Sequence, residues 1–228
     1  MRALHNPGRL IPLIVLGLMG SVFLCIGVVL GTVAARSASA EADRAERLAP
    51  ASAAALEDSP LGKEILVEGA LSARNKPRFR DFVAYTREEY RGSDKDGHAK
   101  WSEDERVTPP LLVDLAAGAV QIGNDDYRIS GPHATWQEGS TLVWNGLLGE
   151  GTKRYRGLVA GRPAMAIGIV RRGAEGAELQ AELVFGGTRA AYIAAQRDTA
   201  RFMPIIGAIL GGVGVLLLGI GVRVGLRR

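Results

Sequence analysis

With one cysteine and three histidines in 228 residues, this chain has little material for thiol or metal chemistry. Cys25 stands inside an apolar run, so the polar part of the chain has no disulfide, thiolate metal site or catalytic thiol. His5, His98 and His133 are too scattered for a metal site or a catalytic triad, so no metal or cofactor is expected. Charge is missing in two places. Residues 10–35 and 202–222 carry none, and no acidic residue lies before 36 or after 201.

Those two runs dominate what is present. At 1.5 Å of rise per residue they would reach about 39 Å and about 31 Å as helices, against a hydrocarbon core of about 30 Å. The sequence therefore predicts an integral membrane protein with two transmembrane helices, 10–35 and 202–222, flanking a polar segment of domain size. The formal charge of +4 suggests nucleic acid only until the charges are mapped. Arg2, Arg9, Arg223, Arg227 and Arg228 lie outside the two runs, in tails 1–9 and 223–228, and the segment between the runs is nearly neutral. Short basic flanks mark the cytoplasmic side, which predicts both termini inside, the central domain extracytoplasmic, and no nucleic-acid partner.

Two other readings of the first run are weaker. A lipoprotein signal would place a small residue before Cys25 and little apolar sequence after it, whereas Leu24 precedes it and residues 26–30 are apolar except for one glycine. Ala38-Ser39-Ala40 fits a signal-peptidase site, but an apolar run of this length far exceeds a signal core of about 7 to 15 residues. An uncleaved anchor is the preferred reading.

Both runs carry glycine stripes. Gly17, Gly20, Gly27 and Gly31 share one helical face, as do Gly207, Gly211, Gly214 and Gly221, and each run holds a G-x-x-x-G. Such stripes let backbones approach where lipid removes the hydrophobic drive to associate. They predict that the spans pair with each other or build a homo-oligomer; the plainer reading is that glycine is common in membrane helices.

Residues 36–58 are alanine-rich with interspersed charges and are expected to form a helical stalk, interrupted at Pro50. A β-rich domain over 59–187 follows Ser59-Pro60-Leu61-Gly62, with strands expected at 63–73, 81–91, 111–115, 119–122, 127–130, 141–148, 164–171 and 177–185. Residues 92–106 are polar and turn-rich, an exposed hairpin tip. The pattern points to a small antiparallel barrel or sandwich, α+β overall once the helices are counted. After it, Thr188 can cap a helix over 188–201 that enters the second span.

Catalytic motifs are not evident. Glu88-Glu89, Asp94 with Asp96, the acids at 103–105 and Asp125-Asp126 could hold a cation but fit solvated loops better. Ser130-Gly131-Pro132-His133 and Gly139-Ser140-Thr141 lack the context of a hydrolase elbow. The 149–161 stretch lacks the order of a phosphate loop and reads as a surface hairpin. Its Lys153, Arg154, Tyr155 and Arg156 are candidates for contact with anionic headgroups or an acidic partner. Trp101, among Lys100, Ser102 and Glu103, is the candidate exposed contact, whereas Trp144, in the expected alternating strand Thr141-Leu142-Val143-Trp144, is expected in the core.

The order of these pieces resembles the GIDE or "beside a membrane" domain of the mitochondrial MULAN/MAPL E3 ubiquitin ligases and their bacterial relatives. The residues that carry the resemblance are Ser59-Pro60-Leu61-Gly62 and Val67-Glu68-Gly69, Phe82-Val83-Ala84-Tyr85 with Arg87 and Glu88, and Trp101. Pro110 to Leu115 with Gly118-Ala119-Val120, the 161–170 stretch and the closing helix complete it. The resemblance implies a membrane-flanked sensing or scaffolding domain. It does not carry ligase chemistry, because a RING needs a thiolate-rich zinc site and no cysteine follows Cys25. The expected function is a non-enzymatic envelope protein that binds lipid or an unidentified protein partner. The rival readings are a ligase-type component acting with a separate catalytic chain, and a membrane assembly protein.

Overall fold

A computed structural model describes residues 7–146, 149–174 and 176–226. The basic tail residues Arg2, Arg227 and Arg228, with His5, lie outside the described residues. The chain divides into two compact units, one of the helices up to Arg44 and from Ile193 onward, the other Ala45–Tyr192.

The helical unit holds two helices long and apolar enough to cross a membrane. The first runs as α1 (Pro7–Val28), widens through a π-helical stretch (Val29–Ala34), and continues as α2 (Ala35–Arg47). The β-branched Val28, Val29, Thr32 and Val33 crowd that stretch. There Thr32 Oγ1 donates to the Val28 carbonyl at 2.6 Å. The second is α4 (Arg189–Leu226), with Pro204 inside it. Pro204 has no N–H for the carbonyl four residues back, so the helix gives up one backbone bond there. Beyond the apolar part, Ala35, Ala38 and Ala42 form a buried stripe on α2, and Asp43 accepts from Arg197 of α4 at 2.6 Å.

The β unit opens with α3 (Ala53–Glu57), capped by Ser52, whose hydroxyl accepts from Ala55 N. Leu56 of α3 is buried in the barrel core, and Ala51 N donates to the Leu66 carbonyl. The end of the expected stalk is thus part of the domain. Strands β1 (Glu64–Leu71), β4 (Leu111–Asp114), β5 (Ala119–Ile122), β9 (Pro163–Arg172) and β10 (Ala177–Phe185) close a five-stranded barrel, since β5 pairs with both β4 and β10. All its pairings are antiparallel except β5 with β10. Counted along the chain, the barrel strands run 1-2-3-5-4 and back to 1, the Greek-key arrangement of an OB barrel. The inward residues are apolar, among them Val67, Leu71, Val113, Ile122, Ala166, Val170 and Leu179. Tyr127 is the largest side chain fully inside, and its hydroxyl donates to the Pro109 carbonyl at 2.8 Å, which supplies the partner a buried phenol requires.

A second sheet is inserted into the barrel connections. It runs β3 (Ala99–Val107), β2 (Phe82–Ser93), β8 (Lys153–Val159), β7 (Ala134–Gln137). A further short strand, β6 (Arg128–Ser130), pairs with β10. Val83, Ala84 and Leu158 of the second sheet join the barrel core, so its base is sealed against the barrel.

Three expectations change here. Part of the polar 92–106 stretch is strand β3, and only residues 94–98 form the tip. The 149–161 stretch contains β8, flanked by strands on both sides, where a surface hairpin was expected. The described part of 141–148 forms no strand, because Gly139 and Gly146 take left-handed conformations that turn the chain out of extended geometry. Leu148 lies outside the described residues.

Candidate functional site

In the helical unit, glycine meets glycine. A Cβ on Gly27 would stand 2.6 Å from the Gly207 carbonyl oxygen and from Gly211 N, and one on Gly214 would stand 2.7 Å from the Gly20 carbonyl oxygen. Gly31 faces Gly207 and Pro204, and Gly221 faces Leu16. Two positions of the expected stripes differ. The Cβ directions of Gly17 and Gly211 open onto empty space, although the Gly211 backbone itself touches Gly27. The outward faces of both helices present exposed apolar side chains such as Leu18, Ile209 and Leu216.

In the β unit, β2, β3 and β8 hold a ladder of ions. Glu89, 4 % exposed, accepts from Gly151 N at 2.5 Å and pairs with Lys153 at 3.4 Å and Arg91 at 2.7 Å. Lys153, 9 % exposed, also meets Asp104 at 3.0 Å. Arg87 bridges Asp104 at 3.1 Å and Glu105 at 2.7 Å. The Gly151 N–H, then Lys153, hold the Glu89 carboxyl below the usual range. Burial works to raise Asp104, and its bonds from Arg87 and Lys153 outweigh that and lower it. Next to the ladder, Phe79, Tyr85, Trp136 and Tyr155 form an aromatic cluster in which Phe79 stacks on Tyr155 at 3.9 Å, with Arg80 over Trp136.

On the opposite face of that sheet, the Arg154 guanidinium lies 4.1 Å from the Trp101 ring centroid and pairs with Glu88 at 2.6 Å. The residues expected as partner contacts are therefore divided. Lys153 and Tyr155 are buried in ion pairs and ring contacts, Trp101 and Arg154 are half-buried against each other, and Arg156 is exposed.

Trp144 reverses its expected position: it is 44 % exposed. Leu142 and Val143 beside it are exposed as well. The loop that carries them is firmly tied. Thr152 N donates to the Val143 carbonyl, Val143 N donates to Thr152 Oγ1, and Gly151 is held by Glu89. The Trp144 ring lies on Gly92, which has φ +85° and where a Cβ would stand 2.8 Å from the ring.

His133 joins the two sheets. Val159 N donates to its Nδ1 at 2.9 Å, so Nε2 carries the proton and donates to the Pro163 carbonyl at 2.8 Å. Burial pushes its pKa down. With both nitrogens engaged by backbone, it is not poised as a base for Ser130. Asp94, Asp96 and His98 approach within 4.8 Å of one another, but Asp94 Oδ1 accepts from the N–H groups of Asp96 and His98, the hydrogen bonds of a hairpin turn.

Two clefts are polar. One of about 260 Å³ lies on the barrel's outer face at β4, β5 and the β9–β10 turn, where OB barrels hold ligands. Glu57, Glu178 and Arg74 line it without an aromatic ring, so its charge and lack of stacking surface disfavour a nucleic-acid strand. The other, about 230 Å³, has Glu88 and Glu103 facing Arg106 and Arg156. The Thr86 and Ser130 hydroxyls share that second lining, where both carboxylates are engaged by arginine: Glu88 with Arg154 and Arg156, Glu103 with Arg106. Comparison of the chain with protein-family models, curated proteins and solved structures finds no match.

Proposed function

We infer that this chain is a membrane-anchored, non-catalytic sensing or scaffolding protein of the cell envelope. Its two apolar helices span one bilayer as a hairpin, both termini lie in the cytoplasm, and the β unit lies on the far side as a binding module. The contact that carries this reading is Gly27 on Gly207, a backbone-to-backbone approach between two helices whose other faces are apolar and exposed. The charge map supports the orientation, and the order of motifs from Ser59 to the closing helix supports a GIDE-like module. The filled barrel and firmly paired second sheet suit a rigid platform better than a reaction chamber.

Crosslinking on intact membranes with mass spectrometry tests the partner-binding role. Recovery of a second protein or of lipid adducts on the β unit supports it, and self-crosslinks alone would favour an assembly protein.

A further inference from the structure

Residues 139–149 read GSTLVWNGLLG, eleven positions without a charge in a chain that is 23 % charged. Five of the eleven are large and apolar: Leu142, Val143, Trp144, Leu147 and Leu148. Such a segment at the surface would ordinarily fold its apolar side chains into the core. Here Leu142, Val143 and Trp144 are 37 %, 47 % and 44 % exposed, side by side. The loop is held in that pose by the Val143–Thr152 backbone pairing, by Gly151 on the buried Glu89, and by the Trp144 ring on Gly92. Exposed apolar residues on a fixed scaffold mark a surface that meets an apolar phase or a partner.

We propose that the loop at 139–146 is a membrane-interface anchor, inserting Leu142, Val143 and Trp144 into the headgroup region of the bilayer that holds the two helices. The inference rests on the membrane-anchored reading above. Three features select lipid over a protein groove. Tryptophan flanked by aliphatic residues is the composition of interfacial belts, where the ring body sits among acyl chains and the indole N–H stays hydrated. The flanking Gly139, Ser140, Thr141, Asn145 and Gly146 are uncharged, so entry removes no ion from water. The tether also sets a short reach. The polar start of α4, residues 189–201, rises only about 20 Å. Tethering keeps the loop at high effective concentration beside its own bilayer, so a weak insertion suffices.

The test uses the full chain in proteoliposomes of phosphatidylcholine and phosphatidylglycerol, with Trp101→Phe and Trp136→Phe leaving Trp144 as the sole tryptophan. Brominated phosphatidylcholine is expected to quench about half of the emission, the behaviour of an interfacial indole. In parallel, Leu142→Cys in a Cys25→Ser background, carrying a nitrobenzoxadiazole label, keeps all three tryptophans and guards against misfolding of the Phe variants. Its emission is expected to shift to the blue in liposomes and to be quenched by the same lipid. Emission from both probes that remains water-like, or that shifts only when a protein fraction is added, overturns the proposal. Flotation of the same samples separates the two readings. If the chain fails to float with lipid, the membrane-anchored reading falls; if it floats while both probes stay aqueous, only the anchor loop does.

Discussion

Gly27 and Gly207 touch backbone to backbone, with the Gly207 carbonyl oxygen 2.6 Å from where a Gly27 Cβ would stand. A side chain on either residue must push the helices apart, whereas a side chain on Gly211 projects into open space. Gly207→Ile is expected to separate the helices and lower the thermal midpoint of the detergent-solubilised protein. Gly211→Ile is expected to leave it within a few degrees. Equal loss in both variants would mean that the stripes act through intrinsic helix properties instead of this contact.

The Trp144 ring on Gly92 gives a second test. Gly92→Ala places a Cβ at φ +85° and 2.8 Å from the indole. The expected cost is about 1–2 kcal/mol in urea unfolding of the β unit. Trp144→Ala should relieve the clash but not the backbone strain, so the double variant recovers only part of the loss. Full recovery would assign the whole effect to the ring.

The Glu89 ladder makes the β unit acid-sensitive. Glu89 and Asp104 titrate below their ordinary values, so their contribution is complete above the unfolded carboxylate range and is lost as pH falls through the lowered folded values. Unfolding should become easier below about pH 4, where unfolded carboxylates take up protons. Glu89→Ala removes the partner of Gly151 N, Lys153 and Arg91 at once, at an expected cost of about 3 kcal/mol. Glu89→Gln retains an acceptor for Gly151 and should cost less. An acid profile by circular dichroism that is unchanged in Glu89→Ala would contradict this role.

His133 acts at a different pH. Its folded pKa is lowered, so its neutral form stabilises the fold fully above about pH 6.5, the unfolded value. That contribution is lost as pH falls, because a protonated Nδ1 cannot accept from Val159 N. Thermal midpoints should therefore drop between pH 7 and pH 5 in the parent chain and stay flatter in His133→Asn. Identical slopes in the two proteins would mean that His133 does not set this pH dependence.

Much of this arrangement is legible in the sequence. The apolar runs give the two long helices, and β5 and β10 fall where the strand pattern predicts, at 119–122 and 177–185. The Thr188 cap is present, its hydroxyl accepting from Ala191 N. The strands that escape detection are β3, β7 and β8. Hydrophobic patterning finds strands that bury apolar side chains, whereas β8 buries Lys153 against Glu89 and Asp104, so its sequence looks like a solvated loop. The converse error occurs in the expected strand 141–148, whose described part, 141–146, stays at the surface because it turns at glycines and is pinned by Thr152 and Gly92. Helical spacing similarly places Gly207 and Gly211 on one stripe, while only the partner helix determines which Cβ direction is blocked.

In the proposed topology the two spans form a hairpin and the β unit lies across the membrane from both tails. This topology is tested most directly by single cysteines in a Cys25→Ser background, at Ser102 on β3 and at Arg228, probed with a membrane-impermeant maleimide on intact cells. Ser102→Cys is expected to label at once and Arg228→Cys only after permeabilisation. Labelling of both from the same side, or release of the chain from membranes by alkaline carbonate, would contradict it.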